Sequence, residues 1–376
     1  MSNPLAPEWL DYPADVNAIA ESVWPRHAKR RATGELEVAG VPVTEIANQY
    51  GTPIYVIDED DFRARATAAK TALTDAAKKI GTHAKVYYAS KAFLSTEIVG
   101  WIDELGLNID VASGGELAAA LAGGIEPARI GLHGNNKSLR EIGRAVTAGV
   151  GAIVIDSEIE IERIASAAGA QDKVQPVRLR VNTGVHANTH DFLATAREDQ
   201  KFGISIADAP ALVAKIRSHT HLEFLGFHQH VGSQIFNAEG FVESTKRLIA
   251  LHAETLKGGV IPELNLGGGF GVNYKIADKA PNNRSDKRPP LACVLRVCCG
   301  LARGQQIDKR QHQHRDGARS EVRHQRHSAA MELHALHQDG VLVGQLFDQT
   351  GDRKQLLPQF SDRGLKHLDI RTQALE

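Results

Sequence analysis

Seven short apolar segments between residues 86 and 266 alternate with segments that look like helices. The apolar segments are rich in Val, Ile and Leu, and the helix-like segments carry apolar residues three and four positions apart. Glycine and serine stand at the joints, where they favour turns and helix caps. The strands that this pattern predicts are residues 86–90, 107–110, 129–133, 152–155, 177–181, 223–229 and 263–266.

This alternation predicts a parallel sheet, because consecutive parallel strands are usually joined by a crossover helix. Two architectures compete, an open doubly wound sheet and a closed (β/α)8 barrel. Seven regular units in series favour the barrel, which needs eight strands and about 250 residues. We therefore predict an α/β fold of the TIM-barrel type that is incomplete at its C-terminal end.

The chain divides into three regions by pattern. Residues 1–60 contain "GELEVAGVPV" and "GTPIYVID", which we interpret as strands outside the barrel, and the barrel itself spans residues 61–278. Residues 279–376 are crowded with Arg, Gln and His, and we predict a poorly folded tail because little apolar surface is available to offset chain entropy. Within that tail, only "GVLVGQLF" (340–347) is typical of a strand.

Composition excludes several classes of function. The formal net charge of −1 gives no general attraction to nucleic acid or to an anionic membrane. No run of 18 apolar residues predicts a membrane span, and the first residues lack a signal-peptide pattern. The three cysteines form no zinc or disulfide framework, which suits a cytoplasmic protein. "QHQHRD" and "RHQRH" could bind a metal, but no cysteine or carboxylate completes a ligand spacing, and we predict no metal site.

Polar residues and glycines concentrate just after the predicted strands. Active residues of a barrel project from the C-terminal ends of its strands. The residues at these ends are Lys91, Asp110, Ser113, Glu116, His133, Asn135, Asn136, Lys137, Arg180, Asn182, His228, His230, Ser233, Gly267, Gly268 and Gly269.

Each of these signals has a structural and a functional interpretation. Lys91 could extend its amine to water, or the amine could act as a base or a Schiff-base nucleophile. His230 could be a buried core histidine or a ring that stacks on a ligand, and Arg180 needs an acceptor or anionic partner. The glycine run could be a tight turn or a phosphate site, which late loops of a barrel often form. A lysine on the first strand together with such a loop suggests pyridoxal 5'-phosphate, which carries an aldehyde and a phosphate.

Longer stretches of the chain point to a family. The stretches are "NQYGTPIYVIDEDDFR", "VYYASKAF", "LNIDVASGGELAAAL", "RIGLHGNNKS", "RVNTGVHANTHDFLATAREDQKFGIS", "FHQHVGSQIFN" and "ELNLGGGFGVNY". Over about residues 20–277 they resemble the diaminopimelate decarboxylase family, within the fold-type III pyridoxal-phosphate decarboxylases that are related to alanine racemase. "HANTH" and "DQKFGIS" resemble this branch more than the ornithine or arginine decarboxylases.

The resemblance implies a reaction, a cofactor and a set of site residues. The reaction is the pyridoxal-phosphate-dependent decarboxylation of meso-2,6-diaminopimelate to L-lysine and CO2, the last step of lysine biosynthesis, carried out by a homodimer. The catalytic residues that it implies are Lys91, as the Schiff-base lysine, and His230, which stacks on the cofactor ring. The further cofactor-binding residues are Ser233, Gly268 and Gly269 at the phosphate, with Asp110 and Arg180 close to the cofactor.

The tail departs from the family pattern near residue 278. The family continues with an eighth strand that carries Glu-Pro-Gly-Arg and a β-domain that carries Cys-Glu-Ser-Gly-Asp, and neither motif occurs in residues 279–376. Our hypothesis is that the tail is translated in a shifted frame, and a single clean frame across the codons for residues 270–290 would contradict it. We expect unpaired strand edges, a doubtful dimer and little or no turnover. The alternatives are a non-catalytic cofactor-binding fragment or another fold-type III enzyme, either an amino-acid decarboxylase or a racemase.

Overall fold

The computed structural model describes residues 15, 17–185, 202–236, 238–274 and 278, together with the backbone of residues 330–334. These residues belong to two units, one that contains residues 17–62 and one that contains residues 63–272. Among the described residues, every helix is too short or too polar to cross a bilayer.

The strands are β1 Ala28–Arg30, β2 Leu36–Val38, β3 Val41–Pro42, β4 Ala84–Ala89, β5 Asn108–Val111, β6 Ile130–Leu132, β7 Ala152–Ile155, β8 Gln175–Asn182, β9 Ile204–Ser205, β10 Leu222–His228, β11 Glu263–Asn265 and β12 Ala330–His334. The helices are α1 Val43–Tyr50, α2 Glu59–Lys78, α3 Thr96–Glu104, α4 Gly114–Ala122, α5 Leu139–Ala148, α6 Glu158–Gly169, α7 Ala209–Ser218 and α8 Glu239–Thr255.

The N-terminal unit contains a small antiparallel sheet. Strand β2 lies between β1 and β3, and α1 follows directly. Its core consists of Val38, Ile46, Ile54 and Val56. The strands that we predicted in "GELEVAGVPV" are present. The prediction of a strand in "GTPIYVID" is wrong, because residues 51–58 pair with no β-strand. The apolar side chains that suggested a strand there are buried in the core by an irregular segment instead.

The second unit is the predicted barrel. Eight parallel strands pair in the cyclic order β4-β5-β6-β7-β8-β10-β11-β12, and β12 pairs back to β4. All seven strands predicted from the sequence are present, each within two residues of the predicted start. Strand β7 is buried at every position, as its unbroken run Ala-Ile-Val-Ile indicates for a strand covered on both faces.

The eighth strand comes from the tail. Strand β12 pairs in parallel with β11, with Glu263 opposite Ala330, and with β4, with His334 opposite Tyr87. The prediction that the edges of β4 and β11 stay unpaired is therefore wrong. The sequence of β12, Ala-Met-Glu-Leu-His, contains no Glu-Pro-Gly-Arg motif. The strand predicted at residues 340–347 and the histidine-rich tracts lie outside the described residues.

Serine caps begin three helices at the C-terminal end of the barrel. The side chains of Ser95, Ser113 and Ser138 accept hydrogen bonds from backbone N–H groups in the first turns of α3, α4 and α5. At α5 the Glu141 side chain completes a capping box, which satisfies two otherwise unpaired N–H groups. These caps fix where each strand-to-helix loop ends, and those loops carry the candidate site.

An ion cluster inside the barrel joins three strands that are distant in sequence. Glu263 on β11 accepts from Arg178 on β8 at 2.7 Å and from Lys85 on β4 at 2.6 Å. Burial alone would raise the pKa of Glu263, but the two cations outweigh it and the pKa is lowered. The carboxylate therefore stays charged and links β4, β8 and β11.

Candidate active site

Lys91 stands just beyond the end of β4, in the single turn Ser90–Ala92, and its residue is exposed. Desolvation of its amine lowers its pKa, and the positive charge of Arg180 adds to this effect, while Asp110 and Glu116 oppose it. In the described part of the chain, no hydrogen bond of the Lys91 amine is found. An amine that is accessible and holds its proton weakly is suited to nucleophilic chemistry.

Arg180, near the end of β8, is held by a carboxylate that the sequence analysis did not single out. Its Nη1 donates to Asp156 Oδ1 at 3.1 Å, and its guanidinium lies 5.0 Å from the Phe202 ring centroid. Asp156 is buried and directly follows β7. The signal that could have revealed it is a carboxylate at a strand end next to the strand of Arg180, since neighbouring strands end at the same rim.

Asp110, on β5, meets His133, a half-buried histidine that precedes a loop of the same rim. Its Oδ1 lies 3.0 Å from His133 Nε2, and the His133 ring packs edge-on against His228 at 4.9 Å. Burial, followed by the charges of Arg180 and Lys137, holds the pKa of His133 well below its usual value. A neutral ring carries one N–H, and the neighbouring carboxylate favours the tautomer with that proton on Nε2.

Lys137 is a second lysine at a strand end, but its amine already contacts three acceptor oxygens. Its Nζ lies 2.8 Å from Glu160 Oε2 and donates to the carbonyl oxygens of Gly134 and Val154 at 2.6 and 2.7 Å. Burial lowers the pKa of Lys137, and Glu160 opposes that shift. Lys137 therefore fastens the loop after β6 to α6 and is not the free amine of the rim.

Lys137→Met should destabilise the protein by about 3–5 kcal/mol, because Glu160 would remain buried as an uncompensated charge. The double variant Lys137→Met/Glu160→Gln should recover most of this loss, since a neutral amide can still accept from the backbone N–H of Asp156. Urea unfolding followed by circular dichroism measures both. Equal destabilisation of the single and the double variant would contradict a charge-pairing role.

Two loops pair with each other at the rim, one after β10 and one after β11. The Ile235 N–H donates to Gly269 O at 3.0 Å, and the Gly271 N–H donates to Ile235 O at 2.9 Å. The Gln234 side chain donates to Val272 O and accepts from Val272 N–H. We call residues 232–236 and 267–272 together the glycine cradle.

The cradle is too tight for side chains at two of its glycines. Gly267 and Gly269 have φ values of +68° and +101°. A Cβ atom on Gly267 would overlap the carbonyl oxygen of Gln229, and one on Gly269 would overlap that of Gly232. Glycine at such positions lets the backbone approach a ligand closely, so that N–H groups and not side chains can face an anion.

Most of the predicted site residues lie around these features. The His230 ring adjoins the cradle, because its Cε1 would lie 3.4 Å from a Cβ atom on Gly269. Ser233 and Gly268 are cradle residues, half-buried and buried respectively. Ser113 and Glu116 serve α4 instead, since Ser113 caps it and the Glu116 side chain accepts from the Ala112 N–H. The described residues contain no cluster of three His, Cys, Asp or Glu side chains that could hold a metal.

Comparison with known proteins identifies the family. The model described as "Pyridoxal-dependent decarboxylase, pyridoxal binding domain" matches residues 60–287, which is more than half of the chain. The chain belongs to this family. It is 46% identical over 271 residues to diaminopimelate decarboxylase of Mycobacterium tuberculosis strain H37Rv, covering 70% of this chain and 59% of the relative. It is 47% identical over 276 residues to the Mycobacterium leprae enzyme, covering 71% of this chain and 57% of the relative.

A solved structure agrees with the fold. Diaminopimelate decarboxylase of M. jannaschii in complex with L-lysine matches with a TM-score of 0.69 and 24% identity, over 82% of this chain and 66% of that one. The predicted barrel class of the pyridoxal-phosphate decarboxylases is thereby confirmed. The chain spans less than two thirds of the length of the mycobacterial relatives that it matches.

Proposed function

We propose that this chain binds pyridoxal 5'-phosphate at the barrel rim and that its reaction is the decarboxylation of meso-2,6-diaminopimelate to L-lysine and CO2. The observation that carries the proposal is the Lys91 amine, with its lowered pKa, on the same rim as a glycine cradle. The family match and the diaminopimelate decarboxylases among its relatives support the cofactor and the substrate. We place the cofactor-binding region at residues 61–278.

The residues at the rim fit the cofactor. Lys91 would bond its aldehyde, Ser233 with Gly268 and Gly269 would hold its phosphate, and His230 would lie against its ring. The two overlaps that exclude side chains from the cradle are the structural basis of this fit. When bound, the cofactor supplies an electron-withdrawing ring that weakens the bond to the departing carboxylate.

The chain's own residues would then bind the substrate and move its proton. Arg180, oriented by Asp156, places a permanent positive charge at the rim, which suits a substrate that carries carboxylates. The same charge helps lower the pKa of Lys91, whose Nζ is thus able to give up and accept a proton. Asp110 is kept in place beside the neutral His133.

A second candidate function is cofactor binding without turnover. It is favoured by the tail, because residues 279–376 contain neither Glu-Pro-Gly-Arg nor Cys-Glu-Ser-Gly-Asp. We accordingly expect turnover to be low, and we keep the homodimer of the family, a cytoplasmic location and the absence of nucleic-acid partners as expectations.

The test is an assay of the purified chain with pyridoxal phosphate and meso-diaminopimelate, in which L-lysine is measured by chromatography. We expect slow L-lysine formation, and no decarboxylation when L-ornithine or L-arginine replaces the substrate. Cofactor binding without any L-lysine would establish the second candidate. Decarboxylation of ornithine or arginine in preference would contradict the proposed substrate.

A further inference from the structure

We infer that Asn265 is a positioning residue that sets the preference of the cradle for a phosphate group, an inference that rests on the proposed function. Asn265 is the last residue of β11 and is fully buried. Its Oδ1 accepts from the Gly267 N–H at 3.0 Å and is 2.9 Å from His228 Nδ1. Its backbone oxygen accepts from the Gln229 N–H at 3.0 Å.

One residue therefore holds the base of both cradle loops. The side chain of Asn265 fixes Gly267, where the second loop begins, and its backbone fixes Gln229, just before the first loop. These two attachment points also approach each other closely, since Gln229 O occupies the space that a side chain on Gly267 would need. The spacing between the loops is thus set at Asn265.

The orientation of the Asn265 amide follows from chemistry. A backbone N–H can only donate, so the atom that faces Gly267 must be the oxygen. His228 Nδ1 then carries the hydrogen that it donates to the same oxygen. The Nδ2 of Asn265 has no hydrogen-bond partner among the described residues. The oxygen therefore makes both hydrogen bonds by which this side chain holds its neighbours.

A second buried network makes the attachment of the first loop rigid. The Gln229 Oε1 accepts from Ser244 Oγ at 2.5 Å, and its Nε2 donates to Thr245 Oγ1 at 3.3 Å. Ser244 Oγ lies 2.6 Å from Thr183 Oγ1. These side chains are all buried, and a fully satisfied polar network of this kind holds one geometry. Gln229 is fixed to α8, so a change at Asn265 would move the second loop relative to the first.

Removal of the oxygen should affect the phosphate and not the aldehyde. In Asn265→Ala, the Gly267 N–H and the His228 Nδ1–H would lose a buried acceptor, and the backbone at Gly267 would rearrange to find another. The phosphate would be held where the two loops meet, whereas the aldehyde would bond to Lys91 beyond β4, on a different strand. Pyridoxal, which lacks the phosphate, separates the two contributions.

The experiment measures dissociation constants of pyridoxal phosphate and of pyridoxal by absorbance titration of the full chain. In Asn265→Ala we expect pyridoxal phosphate to bind about 10- to 100-fold more weakly, as expected for one or two lost buried hydrogen bonds. The affinity for pyridoxal should stay the same.

Asn108→Ala is the matched control, because Asn108 begins β5 and its side chain donates to Val86 O, away from the cradle. It should leave the preference for the phosphate ester unchanged. If Asn265→Ala fails to fold, Asn265→Ser makes the same comparison, because its hydroxyl ends one bond short of the amide oxygen.

Two results would overturn this inference and leave the proposed function intact. One is unchanged binding of pyridoxal phosphate in Asn265→Ala, and the other is equal weakening of both compounds, which would indicate only a structural role. Wild-type protein that binds neither compound would contradict the proposed function and overturn this inference with it.

Discussion

Lys91→Ala should eliminate the visible absorption band that pyridoxal phosphate gives when it bonds to a lysine, and should reduce any L-lysine formation by roughly 10⁴-fold. The reason is that Lys91 combines exposure with a lowered pKa, whereas the amine of Lys137, the other lysine at a strand end, is bound to Glu160 and two carbonyl oxygens. Absorption spectra of the two purified proteins, titrated with the cofactor, measure the effect.

Lys79→Ala is the control for the loss of one exposed lysine, because Lys79 follows α2 and precedes β4, whereas Lys91 lies beyond the other end of that strand. This variant should keep the band at its full intensity. A band that persists in Lys91→Ala would mean that another lysine bonds the cofactor, and the assignment of the rim would be wrong.

Gly269→Ala should weaken the binding of pyridoxal phosphate by about 100-fold or more, equivalent to about 3 kcal/mol. Its φ of +101° is unfavourable for alanine, and the added methyl group would overlap the carbonyl oxygen of Gly232. The strain can be relieved only by moving apart the two loops that would enclose the phosphate. Equilibrium dialysis against the cofactor measures the change.

Gly124→Ala separates the backbone effect from the steric one. Gly124 also has a positive φ, +86°, but a Cβ atom there would meet nothing within 4 Å. It should lower stability by about 1 kcal/mol and leave cofactor affinity unchanged. Binding in Gly269→Ala that equals binding in Gly124→Ala would show that the cradle does not hold the phosphate.

The sequence predicted the barrel well because each strand carries its own local signal. Strand β7 is an unbroken apolar run, and α5 begins at a serine three residues before a glutamate, so both can be recognised without any tertiary knowledge. The rim could be predicted for the same reason, since Lys91 and the triple glycine directly follow recognisable strands. The family resemblance then implied their roles, which stay predictions until tested.

What the sequence did not predict depends on contacts between segments. Asp156 follows a predicted strand, but its importance appears only when β7 lies beside β8. Asn265 lies within a predicted strand, and its importance appears only when β11 lies beside β10. Lys91 and Lys137 both follow a predicted strand and look alike in sequence. The structure distinguishes them, because the amine of Lys137 pairs with the buried Glu160. Strand β12 is defined by backbone pairing with β4 and β11. Its sequence alternates apolar and polar residues only from Met331 to His334, which is too short a stretch to stand out in a tail crowded with polar residues.

Mass spectrometry of the wild-type chain after reduction with borohydride in the presence of pyridoxal phosphate tests the central claim most directly. Reduction makes the bond between the cofactor and a lysine permanent, so peptide mapping reports which lysine formed it. We expect one pyridoxyl group per chain, on Lys91. A group on Lys137, or a low level of modification spread over exposed lysines with none concentrated on Lys91, would contradict the assignment of this rim as the cofactor site.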